Sequence, residues 1–71
     1  MKLEWQYNGY GVYVAYQLGR IVGVVSEHLR GYTARYHYYD EAGALISGVI
    51  SEAIILLEDA KQVVDNYIFE V

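Results

Sequence analysis

The chain contains no cysteine, and its two histidines are too few to hold a structural zinc ion. Neither disulfides nor a metal can then brace the fold, and nothing points to an oxidising compartment. Catalytic signatures are missing as well. There is no Gly-Lys-Ser/Thr phosphate loop, no Gly-x-Ser-x-Gly elbow and no His-Glu-x-x-His pair. Ser26, Ser47 and Ser51 have no base set beside them by the spacing. Gly9-x-Gly11 stands ahead of a strand, whereas a phosphate cradle needs glycines between a strand and a helix. The longest aliphatic run, Ala53 to Leu57, is five residues, far below the ~20 of a membrane span. The opening Met1-Lys2-Leu3-Glu4-Trp5-Gln6 is too polar for a secretory leader. The expectation is a cytoplasmic, non-enzymatic protein with no cofactor and no membrane partner.

What is present fits one small domain of 71 residues, near the lower limit at which a chain buries its own core. Charge is unevenly spread. Residues 20–39 carry Arg20, Arg30 and Arg35 against Glu27, whereas residues 40–71 carry seven acids against Lys61 alone. A net charge of −4 argues against nucleic acid as a direct partner, since phosphate binding needs several cations on one surface.

Leu3-Glu4-Trp5-Gln6-Tyr7 alternates as a strand does, and Asn8-Gly9-Tyr10-Gly11 has turn chemistry. Val12–Leu18 reads as a second strand broken by Gly19, Arg20–His28 as a third and Gly31–Asp40 as a fourth. A three-residue loop at Leu29-Arg30-Gly31 would pair His28 with Tyr32, Ser26 with Ala34, Val24 with Tyr36 and Val22 with Tyr38. Thr33, Arg35, His37 and Tyr39 would then share the opposite face with Glu27, Val25, Gly23 and Ile21, and His28 and His37 would lie on opposite faces. Asp40-Glu41-Ala42-Gly43-Ala44 ends the fourth strand.

Residues 45–50 suit either a fifth strand or the start of a long helix. Gly48 in a helix interior would cost ~1 kcal/mol relative to alanine, which favours the strand. A helix over about 53–68 follows, burying Ala53, Leu56, Leu57, Ala60, Val63, Val64, Tyr67 and Ile68. The expected fold class is α+β: an antiparallel sheet of four to five short strands, with one C-terminal amphipathic helix packed on one face. The other sheet face stays open.

Nine tyrosines stand against one phenylalanine and one tryptophan. A tyrosine ring is broad, has a polar tip and freezes few rotamers on binding, which suits an interface. Tyr16, Tyr36 and Tyr38 are expected beneath the helix. Tyr13 and Tyr39 are expected on the open face beside Arg35 and His37, a grouping with the composition of a binding hot spot. Glu58, Asp59 and Asp65 on the exposed helix face form a second candidate surface, acidic enough to meet a basic partner or to occupy a nucleic-acid groove in place of phosphates. In the simpler alternative those acids are solvated and pair with Lys61 along the helix.

The run from Trp5 through Gly9-Tyr10, the strand Val12–Leu18, the hairpin Ile21–Tyr39 and the helical Leu57-Glu58-Asp59-Ala60-Lys61 resembles small proteins of phages and mobile elements. In these a short antiparallel sheet precedes a Leu-Glu-Glu-Ala-Lys-like helix, and some anti-CRISPR proteins share this build. The resemblance implies a stoichiometric inhibitor of a host defence protein, acting by steric or acidic nucleic-acid-mimic blocking. It carries no functional residue across. Two alternatives come from the residues themselves: a self-associating accessory protein that forms a homodimer through the open sheet face, and a single-strand nucleic-acid binder that stacks bases on the tyrosines.

Overall fold

The computed structural model describes residues 2–69. Five strands, β1 (Glu4–Tyr7), β2 (Val12–Gln17), β3 (Arg20–His28), β4 (Gly31–Tyr39) and β5 (Leu45–Ile54), precede one helix, α1 (Leu57–Phe69). The strands form one antiparallel sheet in chain order, β1-β2-β3-β4-β5, and α1 packs over β3, β4 and β5. The α+β architecture follows.

Local chemistry sets each turn. Between β1 and β2 the Asn8 side-chain oxygen accepts from the Tyr10 amide at 2.7 Å, and the Tyr7 hydroxyl oxygen accepts from the Gly11 amide at 3.1 Å. Between β4 and β5 the Asp40 carboxylate accepts from the amides of Ala42 and Ala44, both at 2.9 Å. These side chains supply the partners that the turn amides would otherwise find only in water. The β2–β3 link is the two-residue turn Leu18-Gly19, with φ of 53° and 80°. Positive φ at both positions gives the twist a tight hairpin needs. Leucine is a poor residue for the first of them.

The core lies between sheet and helix and is built mostly from alanine and valine: Leu3, Ala15, Val25, Ala34, Ala60 and Val64. Val25 and Val64 are the largest side chains that are completely enclosed. Small residues let the helix come close. A Cβ placed on Gly23 would stand 2.5 Å from Val64 Cγ1, so the absent side chain in β3 is the socket for a helix valine. At the rim of this core Tyr36 stacks on Tyr67 of α1, with ring centroids 5.1 Å apart. The folded chain exposes 5035 Å², where a compact monomer of 8.1 kDa exposes about 4,500 Å².

Several expectations need correction. The β3–β4 hairpin closes one residue tighter than expected: Leu29-Arg30 is the loop, His28 pairs with Gly31, and Val24 faces Arg35 rather than Tyr36. Gly31 is therefore in the strand, where an added Cβ would collide with the Ile54 carbonyl of β5. The fifth strand runs four residues beyond the expected 45–50, so α1 begins at Leu57, not near Ala53. Ala53 adopts φ 56° at the end of β5 and is exposed, as is Leu56; neither belongs to the buried stripe. Apolar periodicity in Ala53–Leu56 was no guide because Ile54 pairs with Tyr32 in the sheet.

Candidate functional site

Alternation along β4 places Arg35, His37 and Tyr39 together on the face of the sheet that α1 leaves uncovered. One cross-strand row runs through all five strands on this face: Gln6 beside Val14, Val14 beside Val24, Val24 beside Arg35, and Arg35 beside Val49. Val14 and Val24 are half-buried, Arg35 is exposed and Val49 is 44% exposed. The guanidinium thus rises from a floor of valine. Next along β4, His37 pairs with Ser47 and Tyr39 with Leu45, and Tyr39 and Leu45 are about half exposed.

His37 is held below its usual pKa of 6.5, first by burial and then by the positive charge of Arg35. The imidazole is accordingly neutral at pH 7. Its Nδ1 is enclosed and has no hydrogen-bond partner among the described residues. An apolar surface with one cation and one unsatisfied ring nitrogen is suited to a partner that brings carbon and a carboxylate.

The helix side carries a different arrangement. Lys61 lies 5.7 Å from the centre of the Trp5 ring and 5.4 Å from that of Tyr13, so its ammonium rests over two aromatic faces. Lys2, Trp5, Glu58, Lys61 and Asp65 help line a cleft of about 310 Å³ between α1 and the start of the sheet. Asp65 is only partly exposed, and its Oδ1 is enclosed without a hydrogen-bond partner among the described residues. Glu58 and Asp59 occupy the first turn of α1, where negative charge complements the helix dipole.

No protein-family model, curated protein or solved structure matches the chain.

The structure divides the seven candidate residues into four groups. Arg35, His37 and Tyr39 come together as expected. Tyr13 does not join them: it pairs with Tyr7 and Val25 and lies on the helix face against the core, where burial raises its hydroxyl pKa above 10.0. Glu58 and Asp65 share the helix-side cleft, and Asp59 is exposed outside it. Tyr16 also changes sides. Expected beneath the helix, it sits across from Glu4 on the uncovered face, whereas Tyr36 and Tyr38 stack together on the helix face. His28 and His37 turn out to share the uncovered face, but His28 is at the Gly31 end of β3 and His37 is six residues along β4. At ~3.3 Å per residue that keeps them roughly 20 Å apart. Among the described residues no three His, Cys, Asp or Glu side chains converge in a way that could hold a metal.

Sequence reasoning missed Val14, Val24 and Val49 as the floor around Arg35. The expected register set Val25 opposite Arg35, and Val25 is in fact completely buried under the helix. The signal that could have found them was Gly31. A glycine at the first position of a strand, with a two-residue loop before it, gives the observed pairing.

Proposed function

We propose that the chain is a non-enzymatic protein-binding module that docks a host protein on the uncovered sheet face. One observation carries this reading: the row Val14–Val24–Arg35–Val49, apolar on both sides of a single exposed guanidinium, on a sheet face that α1 leaves uncovered. A core whose largest completely enclosed side chains are valines adds weight, because a chain of this size gains stability from any partner that binds only the folded state. The matching partner surface is apolar with a carboxylate placed to meet Arg35. The first class to test is the one the sequence resemblance implies, a nuclease effector of a bacterial defence system that the chain would inhibit stoichiometrically.

The test is equilibrium binding to purified CRISPR effector complexes, with the native chain, Arg35→Glu and Asp59→Lys compared. The expected result is a dissociation constant at least about tenfold weaker for Arg35→Glu, as for loss of an interface hot spot, and little change for Asp59→Lys. Equal binding by Arg35→Glu and the native chain would move the docking surface elsewhere. Loss on Asp59→Lys alone would transfer the role to the acidic helix. Absence of binding to every effector would remove the inhibitor reading.

A further inference from the structure

The two edges of the sheet are unlike. The β1 edge is four residues long and carries Glu4 and Gln6. The β5 edge is ten residues long, and it has no lysine, arginine or proline. Natural sheets blunt an exposed edge with charge, proline, bulges or brevity. Bulges do protect half of β5: its register against β4 shifts twice between Tyr32 and Arg35, opposite residues 49–54, and Ala53 turns left-handed there. The other half, Leu45 to Val49, pairs regularly with β4 and carries no protective device.

The exposed apolar side chains gather around that same half. Tyr38 and Tyr39 lie beside it on β4, and Tyr67 of the last turn of α1 stacks on Tyr36, the β4 partner of Gly48. Leu45 and Val49 stand in the strand itself, 49% and 44% exposed. We infer that the Leu45–Val49 edge of β5 pairs antiparallel with the same edge of a second copy of this chain, joining two five-stranded sheets into one.

A second copy fits better than an unrelated strand for two reasons. Residues 45–51 hold no charge, so pairing like with like brings no repulsion, and a charged partner strand would find no counterion. The segment is also self-complementary about Ser47. A twofold axis there sets Leu45 against Val49 and Ile46 against Gly48, large beside small, with both helices on one side of the joined sheet. The area is compatible too. At ~200 Å² per aromatic side chain, the three tyrosine rings expose on the order of 280 Å² per protomer. With Leu45, Val49 and the paired backbone, the pair of chains buries up to roughly 1,000 Å², the threshold of a specific interface.

The absence of cysteine from the chain makes the test clean. In Ser47→Cys the two thiols face each other across the proposed axis, within reach of a disulfide. In Val24→Cys the thiol sits mid-face, where only a face-to-face dimer would bring two together. The expected result has three parts: sedimentation of the native chain at twice 8.1 kDa in the micromolar range, rapid crosslinking of Ser47→Cys by oxidised glutathione, and no crosslinking of Val24→Cys. Monomer mass throughout that range would overturn the inference. Crosslinking of Val24→Cys in place of Ser47→Cys would overturn it in favour of sandwiched sheet faces. The sheet-face docking reading stands or falls separately, on Arg35.

Discussion

Replacing Gly23 by alanine adds one methyl group where the fold leaves no room for it. The new Cβ would lie 2.5 Å from Val64 Cγ1 and 3.2 Å from the Arg35 carbonyl oxygen. Overpacking of this kind costs about 1–3 kcal/mol, offset by up to ~1 kcal/mol from the stiffer unfolded chain. A net loss of about 1–2 kcal/mol is expected, a sizeable share of the stability of so small a domain. Val64→Ala alone should cost about 2 kcal/mol through lost burial and a partly unfilled cavity. Together the two changes relieve one another. With Cγ1 removed, the remaining Val64 contact is Cβ at 3.6 Å, an ordinary distance, and the alanine methyl fills part of the space. The double variant should be about as stable as Val64→Ala, giving a coupling of roughly 1–2 kcal/mol in favour of the pair. Urea titrations of the four proteins with a common m value measure this directly. Additivity within about 0.5 kcal/mol would refute the socket at Gly23.

Three further outcomes follow from the backbone and from His37. Leu18→Asn should raise the urea midpoint by the equivalent of about 0.5–1 kcal/mol, since asparagine tolerates the left-handed conformation that leucine holds at φ 53°. Gly31→Ala should cost more than about 2 kcal/mol in the same titration, because φ is 128° and the Ile54 carbonyl blocks the methyl. The His37 pKa is lowered in the folded state, so the unfolded chain binds more protons once pH falls below about 6.5. Its contribution to stability is complete above that pH and is lost as pH falls towards the folded pKa. The native chain should therefore lose more stability between pH 7 and pH 5 than His37→Asn, compared by urea midpoint; equal losses would show that His37 is not the responsible group.

Much of the fold is legible because its turns are local. Asn8-Gly9, Gly19 and Asp40 through Gly43 mark three of the strand boundaries, and the Ala60, Val63, Val64 spacing marks the helix. Register is less legible where both faces of a strand are apolar. In β3, Val24 and Val25 are interchangeable by composition, and only the helix decides that Val25 is enclosed while Val24 faces out. The role of Gly31 depends on Ile54, 23 residues later. The candidate site shared this limit. Arg35, His37 and Tyr39 were grouped by simple alternation along one strand, which needs no register. Tyr13 and Tyr16 were misplaced because assigning their face required the pairing of β2 with β1 and β3, together with the bulge between Ala15 and Tyr16.

Strand order that follows chain order also governs how the molecule assembles. Each hairpin can close over a short loop, so the sheet forms through contacts that cost little chain entropy and should zip together quickly. The seating of Val64 at Gly23 spans 41 residues and comes at a larger entropic cost than closing any of the hairpins. Until that contact is made, the meander has both faces and the long β5 edge open to other chains. The rate of helix docking, more than the speed of sheet formation, thus sets how long each newly folding molecule remains prone to aggregation.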